Sequence, residues 1–144
     1  MTRSKRMERI VALADAARRQ ASQQLAQSQR QHEESRARLA QFENYQREYA
    51  NALNQGAGAV SAANLREARR FIEQIDRTIN ALDQQSRECA ARCDQDVARW
   101  QREARRVEAL SGVLQDARRR EGRDEAGREQ REHDDRPRTA GPIE

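Results

Sequence analysis

Aromatic residues are almost missing from this chain of 144 residues, which carries two Phe, two Tyr and one Trp. Charged residues make up 36% of it. Such a composition lacks the apolar area that a compact multilayer globule needs to offset the entropy of folding. It does allow a narrow stripe along a long helix, which asks for only about two apolar residues in seven. Proline is limited to Pro137 and Pro142, so none interrupts the preceding chain. The two cysteines, Cys89 and Cys93, stand one helical turn apart and do not resemble a secreted disulfide framework. No long apolar run exists either. The early Ile10-Val-Ala-Leu-Ala14 is cut by Asp15, Arg18 and Arg19, too soon for a signal segment. Nothing approaches the roughly 20 apolar residues that cross a bilayer. A cytoplasmic chain without direct membrane insertion is therefore expected. Lysine occurs once, at Lys5, and the net charge is a modest +4 from many charges of both signs.

What the chain does have is a 3-4 spacing of seam residues sustained over two segments. The first runs from Met7, Val11 and Ala14 through Leu25, Leu39 and Phe42 to Leu53. The second runs from Leu65, Ala68 and Ile72 through Ile79, Leu82 and Trp100 to Leu114 and Ala117. Between them Gly56 and Gly58 break the pattern, and Asn64 with Glu67 reads as a helix start. A short break between two long seams favours antiparallel neighbours. The expected fold is all-α: a long antiparallel two-helix coiled-coil hairpin spanning 1–120. Its helices are expected at about 3–54 and 64–120, its loop at about 55–63, and a charged, frayed or disordered tail at 121–144. Trp100 is expected opposite the small Ala14 or Ala21, and Ser28, His32, Ser35 and Ser86 form a weaker polar middle.

No catalytic constellation emerges. His32 and His133 are far apart, and no phosphate loop, dinucleotide fingerprint or nucleophile–base arrangement is present. No enzyme activity, cofactor or metal is expected, and Cys89 and Cys93 read as small apolar core residues, with His32 near Cys89 across the seam. The arginines are interleaved with acids, as on a salt-bridged helix face, so nucleic acid is not the expected ligand. Tyr45 and Phe71 are more informative. Each falls just before a seam residue, and in an antiparallel pair both flanks lie along one edge. Half-exposed aromatics there form a candidate contact patch, with cover over the seam as the alternative.

The run Leu39-Ala-Gln-Phe-Glu-Asn-Tyr45-Gln-Arg-Glu-Tyr49, a glycine-containing break, and Phe71-Ile-Glu-Gln-Ile75-Asp-Arg-Thr-Ile79 together resemble the flagellar export protein family FliJ. One departure is Ala68, where the family often carries an aromatic. The resemblance implies a non-enzymatic component of the bacterial flagellar type III export apparatus. It implies a stalk-like coiled coil linking the export ATPase ring and its regulator to the membrane export gate protein, and assisting export chaperones. It places the chain in the cytoplasm, peripherally associated with the inner membrane at the flagellar base. Carried over residue by residue, Phe42, Tyr45, Tyr49, Phe71 and Ile75 match the gate-facing surface. Arg3, Lys5, Arg6, Arg9, Arg118, Arg119 and Arg120 would form a basic end facing the ATPase ring. A virulence-type secretion stalk and a generic coiled-coil scaffold are the alternative readings.

Overall fold

The computed structural model describes residues 2–55 and 61–135. It contains two α-helices, α1 (Arg3–Gln55) and α2 (Ala62–Asp135), and no strand among the described residues. The fold is all-α, with the two long helices packed on each other. Both helices contribute to two compact units, one of Met1–Arg19 with Arg102–Glu144, the other of Gln20–Gln101.

In the first unit α1 begins in a way that depends on α2. Thr2 is the N-cap: its carbonyl accepts from the Arg6 amide at 3.3 Å and its hydroxyl from the Lys5 amide at 3.4 Å. The first turn of α1 holds no acidic residue to meet its unpaired amides. Glu121 of α2 supplies the carboxylate instead. Its Oε1 accepts from the Ser4 amide at 3.0 Å and its Oε2 from the Ser4 hydroxyl at 2.6 Å. Four residues on, Arg118 donates to Glu8 at 2.9 Å, so the helices run antiparallel. Stepping one heptad inward from the Ser4–Glu121 layer brings Val11 level with Leu114. Ala14, Leu114 and Ala117 are buried in this unit, small residues allowing close helix approach.

The second unit is also an antiparallel pair. Ser28 bonds the Asp96 carboxylate, Arg99 the Gln24 amide oxygen, and Gln46 donates to Asp76 at 2.5 Å. Its buried residues are Ala21, Ala68 and Ile75 together with Ser28, Ser35 and Ser86. The Ser35 hydroxyl turns back to the His32 carbonyl at 2.8 Å, which satisfies it inside the seam. Every seam position expected from Met7 to Leu53 is buried or half-buried, and so is every one from Ala68 to Ala117.

Four expectations differ in detail. Leu65 is 46% exposed, because the register sets the end of α1 level with about residue 69, a turn past Leu65 along α2. The Ser28–Asp96 and Gln24–Arg99 pairs put Trp100 level with Leu25, a turn from Ala21, while Ala14 belongs to the first unit; polar pairs, rather than size matching at Trp100, hold the register. The cap of α2 is Ser61, whose hydroxyl accepts from the Asn64 amide at 3.3 Å and whose carbonyl accepts from the Leu65 amide at 3.0 Å. Helix α2 also passes 120 and continues to Asp135. Gly122 and Gly127 each weaken helix by about 1 kcal/mol, but Asp124, Arg128 and Glu132 fall at favourable i,i+4 spacing around them. The expected loop residues 56–60 and the tail residues 136–144 lie outside the described residues.

Two tests follow from this packing. The Ser4 contacts hold the Glu121 carboxyl below its ordinary value of 4.5. A depressed carboxyl contributes stability above its unfolded value and loses it as pH falls through the folded one. Hydrogen-exchange protection of the first turn of α1 is expected to drop on acidification below about 4.5, and Glu121→Gln to remove most of that pH dependence. Independently, a methyl group at Gly112 meets nothing within 4 Å. Gly112→Ala is expected to raise unfolding free energy by up to about 1 kcal/mol in urea titrations.

Candidate functional site: an aromatic groove

In the heptad notation, with seam residues at a and d, Tyr45, Ala52, Phe71 and Thr78 all fall at g, and Glu48 and Gln74 at c. In an antiparallel pair with the register described above, the g positions of both helices meet along one edge. There the second unit carries a groove of about 630 Å³. Its floor is the d-position side chains Phe42, Tyr49 and Ile75, and its walls are the g and c residues. Tyr49 and Ile75 also line a smaller depression of about 290 Å³ on the other edge, together with Gln46 and Ile72, so these two side chains form the partition between the helices.

The aromatic rings are organised pairwise. Tyr49 of α1 meets Phe71 of α2 with ring centroids 4.7 Å apart and planes tilted by 56°. Phe42 meets Tyr45 edge-on at 5.9 Å and 87°. Both are ranges in which the ring quadrupoles attract. Tyr45 and Phe71 are nevertheless 48% and 47% exposed, since a two-helix pair has nothing further with which to cover a g-position ring. Gln41 donates to the Tyr45 hydroxyl at 3.3 Å, which orients that ring.

All five of Phe42, Tyr45, Tyr49, Phe71 and Ile75 line this one groove. Glu48, which falls inside the Tyr45-Gln-Arg-Glu-Tyr49 run, completes the lining with Ala52, Gln74 and Thr78, which only their c and g positions mark in the sequence. Ala68 is buried in the seam and does not line the groove. Chemically the groove can accept an apolar or aromatic side chain, with Glu48, Gln74 and Thr78 as its polar contacts.

The basic cluster lies in the first unit. Arg3, Lys5, Arg6 and Arg9 are exposed on the opening turns of α1, and Arg119 and Arg120 are exposed on α2. Arg118 is tied to Glu8. Because α2 runs on to Asp135, Arg118–Arg120 are mid-helix. They are followed by a stretch with seven acids (Glu121, Asp124, Glu125, Glu129, Glu132, Asp134, Asp135) against Arg123, Arg128 and Arg131. The register sets His32 level with Cys93. The His32 Nδ1 is buried without a hydrogen-bond partner, and burial, with Asp96 and Asp94 nearby, pushes the Cys93 thiol up toward its protonated form. No group of three metal-capable side chains occurs among the described residues.

A family model, Flagellar FliJ protein, matches residues 3–138. The chain belongs to the FliJ family. No curated protein and no solved structure matches it. Membership gives the chain a role in flagellar protein export, alongside non-enzymatic components of that apparatus. Among the described residues no helix is long and apolar enough to cross a membrane.

The floor and walls of the groove predict different mutational costs. Ile75→Ala, at a buried position, is expected to lower stability by about 2–4 kcal/mol, whereas Tyr45→Ala should cost less than about 1 kcal/mol. Urea denaturation followed by circular dichroism distinguishes them, and equal losses would contradict this geometry.

Proposed function

We propose that this FliJ-family chain couples an export ATPase ring to a membrane export gate protein, and that it assists export chaperones, through two surfaces on one helix pair. The observation that carries the reading is the aromatic groove. Four of the five aromatic residues of a highly polar chain line one apolar concavity, and half-exposed rings of this kind are typical anchors of protein interfaces. The gate-facing role falls to Phe42, Tyr45, Tyr49, Phe71 and Ile75. The ATPase-facing role falls to the first unit, where Arg3, Lys5, Arg6, Arg9, Arg119 and Arg120 are exposed and suited to an acidic ring lumen. The family supports the flagellar setting over a virulence-type stalk or a generic scaffold. The work site in this reading is the cytoplasmic face of the inner membrane at the flagellar base.

The test uses the full chain with its cognate ATPase and gate protein. Adding the chain is expected to raise ATP hydrolysis or ring assembly, and the paired change Tyr45→Ala with Phe71→Ala to weaken gate binding about tenfold or more while helicity is retained. Unchanged hydrolysis would remove the coupling role, and unchanged gate binding would reduce the groove to cover over the seam.

A further inference from the structure

The first unit exposes a second apolar surface that the aromatic groove does not explain. Ile10, Leu13 and Val113 are 42%, 73% and 41% exposed. The Ser4–Glu121 layer fixes their relation. One heptad inward Val11 is level with Leu114, so Ile10 and Val113, each one residue earlier, face each other across the g edge, with Leu13 beside them at c. Ile10, Leu13 and Ala17 fall at i, i+3 and i+7 on α1, and Arg106, Ala109 and Val113 repeat that spacing on α2. This is the periodicity that a third helix reads.

The charges on the same edge are one-sided. The residues just before Ser4 and Glu121 are Arg3 and Arg120, which places two guanidinium-bearing side chains opposite each other. Arg6, Arg102 and Arg106 join them, and Asp116 is the one carboxylate at g or c between Arg3 and Ala17 or between Arg102 and Arg120. None of these five arginines forms an ion pair among the described residues, and all five are exposed. The opposite edge differs. There Glu8, Asp15 and Glu108 balance Lys5, Arg19 and Arg118, and both Glu8 and Asp15 are paired. Like charges facing each other without compensation oppose folding and are offset when an anionic partner binds.

We propose that the edge carrying Ile10, Leu13 and Val113 is a docking surface for an acidic amphipathic helix of another protein, which lays an apolar stripe between the arginines and pairs its flanking carboxylates with them. The surface shares Arg3, Arg6 and Arg120 with the ATPase-facing reading but does not depend on it, because its test contains no ATPase. A patch of three aliphatic side chains set in helical spacing, with no aromatic at its margins, fits a helix better than a lipid surface.

The experiment measures fluorescence anisotropy of a labelled synthetic helix of about 20 residues, with leucines at a and d and glutamates on both flanks, against the full chain. Two control peptides have the same composition in scrambled order, or lysines in place of glutamates. The acidic helix is expected to bind at least about tenfold tighter than either control. Leu13→Asn, outside the seam, and separately Arg106→Glu, should each weaken it several-fold with the circular dichroism spectrum unchanged. Equal binding of the scrambled peptide, or no loss in Arg106→Glu, would overturn the proposal. So would co-sedimentation with phosphatidylglycerol vesicles that the acidic helix does not compete away, which would assign the edge to a membrane surface.

Discussion

Two helices with no third layer can bury only one stripe each, and that limit governs the packing in both units. The seam is filled largely by small or polar residues: Ala14, Ala21, Ala68 and Ala117 bring the backbones close, while Ser4, Ser28, Ser35 and Ser86 occupy buried positions without large apolar area. Hydrophobic burial scales with area, so such a seam is weakly driven per residue and depends on length. Orientation and register come instead from bonds that cross it. In the first unit these are Ser4 to Glu121 and Glu8 to Arg118; in the second they are Ser28 to Asp96 and Gln24 to Arg99. A one-residue slip would strand Ser4 with Glu121, Ser28 with Asp96 and Gln24 with Arg99 at buried or half-buried positions, a cost far above that of moving an alanine past an alanine; the exposed Glu8–Arg118 pair adds less.

The same limit decides what must remain exposed. A large side chain at g has no neighbour to cover it in a two-helix pair, whichever unit it occupies. Tyr45 and Phe71 are exposed for this reason, and so are Ile10 and Val113. Their exposure follows from architecture, and their identity as rings beside a concavity in one case and aliphatics among unpaired arginines in the other is what separates the two surfaces chemically.

The helical seams were legible because a 3-4 spacing repeated over many heptads averages out the poor hydrophobicity of any single layer. Register was not legible. It depends on where the chain turns and on pairs such as Arg99 with Gln24, which look like ordinary surface residues until the partner strand is known. Leu65 matched the spacing and still lies 46% exposed, since periodicity says which face is apolar but not whether the other helix reaches that far. Ser61 does not stand out as a cap in the sequence because Asn64 with Glu67 offers a similar local signal, and glycines that flanking helix formers tolerate hide the run to Asp135. In the groove, Tyr45 and Phe71 stood out by residue type, whereas Ala52, Gln74 and Thr78 became part of it only through pairing. Ile10 and Leu13 went unread for a related reason: within an apolar run, the seam member Val11 and its flanking neighbours cannot be separated without the layer that Ser4 and Glu121 define.

Coupling between two binding surfaces requires that each partner distinguish two states of the chain or of the assembly; a rigid connector with equal contacts in both states transmits nothing. The polar middle of the second unit bears on this. His32 carries an unpartnered buried nitrogen at the level of Cys93, flanked by the Ser28–Asp96 pair and by Ser35 bonding to its own helix. Layers of this kind contribute little apolar area and hold by a few directional bonds, so they open at lower free energy than the layers around Ile75. A partner at the aromatic groove would, on the proposed reading, act beside the Ile75 layers, next to these weaker ones. On the proposed reading, a FliJ-family helix pair would therefore store its responsiveness in the polar layers and its affinity in the flanking side chains, which are two different sets of residues.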